Sequence, residues 1–171
     1  MTNPDGEPDW DAIVCQHARQ VYAVAMRIVG VEQDAEDVSQ EVFSQAWQKW
    51  RKGRVNNWSG LLIHLATVRS IDRLRRRRRW WGILPVRDSD RITAIEPPDE
   101  LQGQELADWL RKAIAALPDR EATVFIMIHV EEMTREEVAD ALAISPEAVS
   151  TALYKARQKL QEQLQQLQEK R

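Results

Sequence analysis

The residues with the clearest potential for chemistry are arginines. Between Arg69 and Arg79 lie seven arginines and one carboxylate, Asp72, and five of the arginines are consecutive. On a helix, five consecutive side chains point to every face, so they cannot all lie against one apolar core. A planar guanidinium binds phosphate through paired hydrogen bonds, and clustered arginines therefore favour a polyanionic partner. The other interpretations are a solvated helix end and an internal contact with an acidic linker.

A polar loop and three tryptophans lie on either side of this basic segment. The loop covers residues 54–57 and leads into Trp58, while Trp80 and Trp81 follow the arginines. Indole faces stack on unpaired bases, so this arrangement is suited to holding single-stranded DNA. Core packing is the alternative interpretation, and it is the favoured one for Trp58.

A second polar group lies at spacings of three and four residues on the preceding predicted helix. Its members share the face opposite an apolar stripe, and they are Asp37, Gln40, Glu41 and Ser44. Carboxylates with an amide between them suit recognition of arginine and lysine on a partner protein, and a solvated surface is the alternative. A catalytic pair ranks last, because no histidine or metal-ligand cluster accompanies these residues. We expect no enzymatic activity, no cofactor and no metal.

Apolar spacing and capping residues predict helices throughout the chain. Helices over residues 9–30, 34–50 and 58–79 form a three-helix bundle. Prolines and carboxylates then interrupt the pattern, which predicts a flexible linker. The predicted organisation is a first domain at 1–79, a linker at 80–101 and a second domain at 102–171.

The second domain contains a helix-turn-helix pattern. Thr134 and Glu137 form a capping box, Ala143 and Ile144 form a turn, and Ser145 caps the helix that follows. That helix is expected to enter a major groove, with side chains that bond phosphates or base edges. These side chains are Ser150, Thr151, Tyr154 and Lys155. A helical hairpin without a nucleic-acid role is the alternative interpretation.

Composition restricts the class of protein. The chain has 171 residues, of which 43% are apolar and 30% charged, with a formal net charge of -3, as in soluble globular proteins. No apolar run reaches the ~18 residues of a membrane span, and the acidic N-terminal segment is unlike a secretory signal. A cytoplasmic location follows as an expectation. The single cysteine, Cys15, cannot form an internal disulfide, and we expect it to be a buried apolar filler.

Three segments in this order resemble bacterial sigma factors of the extracytoplasmic-function (ECF) group within the sigma-70 family. The segments are DAEDVSQEVFSQAWQKW, LATVRSIDRLRRRRR and LPDREATVFIMIHVEEMTREEVADALAISPEAVSTALYKARQKL, and the resemblance spans roughly residues 11–160. It implies an all-α protein of two small helical domains joined by a flexible linker. Residues 1–79 would be sigma region 2, and residues 102–171 would be the helix-turn-helix of region 4.

The resemblance also implies residue roles. Polymerase binding would fall to Asp37, Gln40, Glu41 and Ser44. Promoter contacts of region 2 would fall to Arg54, Asn56, Asn57, Arg69, Arg73, Arg75, Arg76 and Arg77. Promoter contacts of region 4 would fall to Thr134, Ser145, Ser150, Thr151, Tyr154, Lys155 and Arg157.

The function implied is that of a sigma factor, which binds core RNA polymerase, recognises promoter DNA and assists duplex opening. An anti-sigma factor or another regulator would be a further partner. Two alternatives stay open: a helix-turn-helix regulator that acts without polymerase, and a sigma-derived interaction protein bound to a regulator. The second is motivated by Ser150 and Ala152, which stand where the family commonly has basic residues.

Two further features depart from the family pattern. Ala143 stands where the turn often has glycine, so a mildly strained turn is expected. The last helix is extended, and Leu160, Leu164 and Leu167 are spaced as in a short coiled coil. A solvated tail is one interpretation of this extension, and contact with a regulator or a second copy of the chain is the other.

Overall fold

The computed structural model describes residues 8–53, 55–81 and 98–169, and within them it contains seven α-helices and no β-strand. In chain order they are α1 (Trp10–Val29), α2 (Glu32–Lys52), α3 (Trp58–Trp81), α4 (Pro98–Ala116), α5 (Asp119–His129), α6 (Arg135–Leu142) and α7 (Pro146–Glu169). The all-α prediction is confirmed. We refer to α1–α3 as the N-terminal module and to α4–α7 as the C-terminal module.

Local capping chemistry sets several helix ends at the predicted residues. The Asp9 carboxylate accepts a hydrogen bond of 3.1 Å from the Ala12 backbone N–H and begins α1. Gly30 ends that helix with a φ of 69°, a left-handed conformation that glycine adopts without a steric penalty. Asn57 begins α3, because its Oδ1 accepts a hydrogen bond of 2.8 Å from the Gly60 N–H.

Two helix ends extend into the segment predicted to be the linker. Helix α3 continues through Trp80 and Trp81, since the first residue that disfavours a helix is Gly82. Helix α4 begins at Pro98, one of the prolines predicted to interrupt the helical pattern. A proline is compatible with the first turn of a helix, because its missing N–H has no partner there. The intervening residues 82–97 lie outside the described part, and the division into domains stays a prediction.

The helix-turn-helix forms with its predicted caps. The Thr134 Oγ1 accepts from the Glu137 N–H at 3.2 Å, and the Thr134 N–H donates to the Glu137 carboxylate at 2.8 Å, which completes the capping box. The Ser145 Oγ accepts from the Ala148 N–H at 3.2 Å. Between these helices, Ala143 adopts φ 53° and ψ 47°, the left-handed conformation expected of a residue at a glycine position.

Helix α3 is the element that joins the two modules. It packs against α1 and α2 on one side and against α4, α5 and α6 on the other. Its Leu62, Leu65 and Ala66 belong to a core that also contains Leu117 and Ile126 of the C-terminal module. Its Ile63 instead belongs to the core of the helix-turn-helix. Both hydrophobic cores therefore include residues from this one helix.

One expectation about side-chain burial is wrong. Cys15 is exposed rather than buried, because the core of α1 is built from other positions such as Ile13, His17 and Val21. The chain consequently carries one accessible thiol.

We expect Ala143→Gly to stabilise the protein. An L-residue in the left-handed region costs about 1–2 kcal/mol, and the greater flexibility of glycine in the unfolded chain offsets about 0.4–1 kcal/mol of the gain. The expected net effect is about 0.5–1 kcal/mol, or about 2 °C in Tm, measured by thermal unfolding followed by circular dichroism. A lower Tm would show that the turn is not strained.

Stability should also depend on the protonation of His64. Burial, with a smaller effect of Lys49, lowers the pKa of His64 from its usual 6.5. The unfolded chain thus takes up this proton at a higher pH than the folded protein, so the folded state loses stability as the pH falls through 6.5 toward the lowered native pKa.

We expect His64→Gln to reduce the loss of unfolding free energy between about pH 7.5 and pH 5, as measured by urea unfolding. Some loss should persist, since the pKa of His129 is also lowered. Parallel pH profiles for the two proteins would contradict the role of His64.

Candidate nucleic-acid and protein interfaces

The predicted docking residues of α2 form one exposed face. Ala35, Val38, Val42 and Ala46 are buried in the core and turn the opposite side of the helix outward. That outward side carries Asp37, Gln40, Glu41 and Ser44, all of which are exposed. The structure thus places the four residues together, in a geometry that a basic partner surface could contact.

The arginines of α3 are not all available to a ligand. The Arg73 Nε lies 3.2 Å from Asp34 Oδ1, and the same guanidinium bonds the carboxylate of Asp37. Arg77 Nη1 lies 3.7 Å from Asp34 Oδ2. These acids belong to α2, so folding supplies counter-charges that are far away in sequence. Asp72 is the one acidic residue close to these arginines in the sequence, but Asp34 and Asp37 are also close to them in the folded protein.

Arg75 contacts the C-terminal module. Its Nε donates to the Ala115 carbonyl at 3.2 Å, its Nη2 donates to the Leu117 carbonyl at 2.7 Å, and its Nη1 bonds the Asp119 carboxylate. The carbonyls lie at and just beyond the C-terminal end of α4, which carries the negative end of the helix dipole. Arg75 is therefore bound within the protein, although the sequence predicts it as a DNA contact.

The remaining arginines of the segment differ in exposure. Arg69 is half-buried, with one nitrogen 3.4 Å from Asp72 and its Nε buried without a hydrogen-bond partner among the described residues. Arg76 and Arg79 are exposed. Among the predicted region 2 arginines that the structure describes, Arg76 is the one exposed residue.

The loop before α3 lies beside an aromatic cluster. Trp10 packs edge-on against Trp47 and Trp58, with ring centroids 5.2 Å and 5.8 Å away, and Phe43 lies 6.2 Å away. Core packing of Trp58 is thus the correct interpretation. A shallow notch beside the cluster is lined by Trp10, Phe43, Trp47 and Ser44, which connects it to the exposed face of α2.

The loop residues themselves are only partly described. Asn56 and Asn57 are exposed, and Asn57 also caps α3. Arg54 lies outside the described residues, as do the side chains of Trp80 and Trp81.

Several polar side chains of the helix-turn-helix are engaged by the backbone. The Ser150 hydroxyl donates to the Pro146 carbonyl at 3.0 Å, and the Thr151 hydroxyl donates to the Glu147 carbonyl at 2.9 Å. Thr134 and Ser145 act as caps. Lys155 is exposed and Tyr154 is 69% exposed, so these two side chains extend freely from α7.

Two residues near this surface are absent from the sequence-based set. Arg120, at the start of α5, lines a groove together with Thr151 and Lys155. His129 accepts a hydrogen bond of 3.2 Å from the Arg157 Nε, and its pKa is lowered by partial burial and then by Arg157. A neutral imidazole is the form that accepts this bond. Neither contact has a local sequence signal, because each links helices that are distant in the chain.

The described residues contain neither a metal-type cluster nor a membrane span. In residues 8–53, 55–81 and 98–169, no three histidine, cysteine, aspartate or glutamate side chains are arranged to hold a metal ion. Over the same residues, the helices that are long enough to cross a bilayer are too polar to do so.

The C-terminal extension of α7 is partly packed. Leu160 is buried in the core that also contains Leu62 and Leu117, whereas Leu164 is 37% exposed. The side chain of Leu167 lies outside the described part, so self-association through this stripe stays a prediction.

Two family models match the chain, one on each side of the linker segment. Residues 13–80 match Sigma-70 region 2, and residues 107–160 match Sigma-70, region 4. The first covers most of the N-terminal module, and the second covers the second half of α4, all of α5 and α6, and α7 as far as Leu160.

Relatives with curated descriptions align with nearly the whole chain. The ECF RNA polymerase sigma factor SigE of Mycolicibacterium smegmatis is 30% identical over 159 residues, which are 92% of this chain and 62% of that protein. The ECF RNA polymerase sigma factor SigW of Bacillus subtilis is 27% identical over 165 residues, which are 91% of this chain and 88% of that protein.

A solved structure supports the fold. The sigma factor RpoE from Bartonella quintana, in a co-crystal with the anti-sigma factor NepR, superposes with a TM-score of 0.54 at 20% identity, covering 92% of this chain and 97% of that chain. Both region models match in order, and the two relatives described above are both ECF RNA polymerase sigma factors, so the chain belongs to the ECF group of the sigma-70 family.

Proposed function

We propose that this protein binds core RNA polymerase and directs it to promoter DNA, where it helps to open the duplex. The observation that carries the proposal is that one module presents both an exposed acidic face on α2 and an arginine-rich helix, α3. The C-terminal module supplies a helix-turn-helix, which is a second and separate DNA-binding element. A regulator that binds duplex DNA alone would not need the α2 face.

The α2 face is the proposed polymerase contact. Glu41 and Gln40 extend from it into solvent, and Ser44 connects it to the aromatic notch. A basic partner helix could pair with the carboxylates while an apolar side chain enters the notch. Complementary charge of this kind increases the association rate and fixes orientation.

The proposed DNA contacts fall into two groups. In the N-terminal module, Arg76 and Arg79 are exposed and can neutralise phosphates, while the loop holding Asn56 and the neighbouring aromatic cluster lie near the start of the same helix. In the C-terminal module, Tyr154 and Lys155 extend from α7. Trapping an unpaired base would offset part of the unstacking free energy, about a few kcal/mol.

The protein would act without catalytic chemistry of its own and in the cytoplasm. A protein regulator is also proposed as a partner, since the RpoE relative was crystallised with an anti-sigma factor. The Ser150 and Thr151 hydroxyls already donate to backbone carbonyls, so they would have to give up those bonds to donate to a phosphate. The Thr134 hydroxyl both accepts from the Glu137 N–H and donates to the Glu137 carboxylate. The Ser145 hydroxyl accepts from the Ala148 N–H as a helix cap.

The polymerase contact is tested by Glu41→Lys. Reversal of one exposed charge on the α2 face should weaken binding to core polymerase about tenfold, since opposite charges become like charges. Glu162→Lys makes the same change of net charge on the exposed surface of α7 and is the control. Binding is measured by fluorescence anisotropy of the labelled protein, and equal affinities for both variants would contradict the assignment.

The phosphate contacts are tested by the salt dependence of promoter binding. For polymerase holoenzyme carrying Arg76→Gln with Arg79→Gln, we expect the slope of log K against log salt to become shallower by roughly 1.5–2. The change should be similar on different promoters, since phosphates carry no sequence information. An unchanged slope would show that these arginines do not reach the DNA.

A further inference from the structure

The contacts between the two modules are concentrated along one side of α3. At its start, a Cβ added to Gly60 would lie 3.3 Å from the Ala141 Cβ of α6. One turn later, Ile63 enters the helix-turn-helix core. Toward its end, Arg75 binds the carbonyls at the end of α4. The C-terminal module therefore covers much of the length of the helix proposed to bind promoter DNA.

A second contact joins the modules away from α3. Arg27 at the end of α1 forms paired hydrogen bonds of 3.1 Å and 2.5 Å with the Glu131 carboxylate, and the Glu131 side chain is only 4% exposed. A carboxylate so nearly buried needs a paired cation. Charged contacts as well as apolar packing therefore hold the two modules against each other.

The covered face of α3 is more polar than the interior of a single permanent core. Thr67 and Ser70 follow Gly60 and Ile63 at spacings of three and four residues, and so share their side of the helix. Both are fully buried, and their hydroxyls have no hydrogen-bond partner among the described residues. Buried hydroxyls without partners are unfavourable, and water would satisfy them if the modules separated.

We propose that the free protein closes on itself and that Arg75 is the latch. In the closed state all three guanidinium nitrogens of Arg75 are bound to the α4–α5 junction, so three of its five N–H donors are occupied and a paired contact with a phosphate would compete with these bonds. A polyanion on α3 and the closed state therefore compete for one side chain. The identity of that polyanion as promoter DNA rests on the proposed function, but the closed state does not.

Arg75 suits a reversible latch because its partners tolerate release. The Asp119 side chain is 87% exposed, and the carbonyls of a helix end can be hydrated by water. The adjacent Arg76 is exposed and has the same charge, which makes it a matched comparison for conformation. Arg75 thus couples the position of the C-terminal module to the binding of a polyanion on α3.

The latch is tested by a distance measurement between the modules. Exposed Cys15 carries one spin label, and Gln158→Cys on the exposed side of α7 carries the other. We expect Arg75→Gln to shift the electron–electron distance distribution toward longer distances and to lower the closed-to-open ratio about tenfold. Arg76→Gln should leave the distribution unchanged, and circular dichroism checks that both variants keep their helix content. Identical distributions for the two variants would overturn the latch.

A substitution that is expected to favour the closed state, rather than the open state, keeps the test independent of damage to the fold. Thr67→Val removes a buried hydroxyl without a partner and nearly conserves shape, so it should increase the closed population. A shift toward the open population would show that the covered face does not behave as proposed.

A reversible crosslink connects closure to activity. Gly60→Cys with Ala141→Cys, in a Cys15→Ser background, places two Cβ atoms close to the 3.5–4.5 Å separation of a disulfide. Oxidation should lock the modules together and reduce promoter-complex formation with core polymerase at least tenfold, and dithiothreitol should restore it. A Cβ at residue 60 would also lie 2.9 Å from the Asn57 Nδ2, so the Gly60→Cys variant alone is the control for that contact as well as for oxidation. Full activity of the oxidised double variant would overturn the proposal.

The two proposals fail in different ways. If the reduced double variant and the original protein both ignore polymerase while the spin labels still report an Arg75-dependent closed state, the function proposed above is wrong and the latch stands. If polymerase binds but Arg75→Gln does not change the distances, the latch is wrong and the function stands.

Discussion

Helix α3 must bury two apolar surfaces while keeping its cationic end in contact with water, and the rest of the structure depends on this constraint. Leu62 and Leu65 face the core shared with α1 and α2, whereas Ile63 faces the helix-turn-helix. Burying a large aliphatic side chain contributes about 1.5–3 kcal/mol, so a helix that is covered on two sides becomes the central element of the fold. The other helices are arranged around it.

The same constraint decides which arginines can meet a ligand. A guanidinium that is drawn partly out of water by packing needs acceptors nearby, and α2 and the α4–α5 junction supply them for Arg73 and Arg75. Arg76 is exposed and stays hydrated. A run of like charges in the sequence is thus divided by the helix into internal contacts and an external surface. The electrostatic attraction for nucleic acid is smaller than the run suggests while the modules are together.

The helix-turn-helix shows how local structure and function share the same polar groups. Hydroxyls at Thr134 and Ser145 satisfy backbone N–H groups at helix starts, and those at Ser150 and Thr151 return to carbonyls of the preceding turn. Such bonds define the backbone that presents Tyr154 and Lys155. Residues predicted to read DNA therefore contribute first to the geometry of the element, and their direct contacts would be additional to that role.

The sequence by itself determined the helices, most of their ends and the strained alanine of the turn, because apolar periodicity and capping act within about four residues of the chain. The family was inferred separately, from the resemblance of three motifs in order. The sequence also grouped Asp37, Gln40, Glu41 and Ser44 correctly on one face. Only the tertiary structure decided that Arg73 and Arg75 have internal partners, that Cys15 is exposed and that one helix serves both cores. Ion pairing and burial depend on how segments that lie 36 or more positions apart, such as Arg73 and Asp37, are placed by packing, and no local pattern encodes that distance.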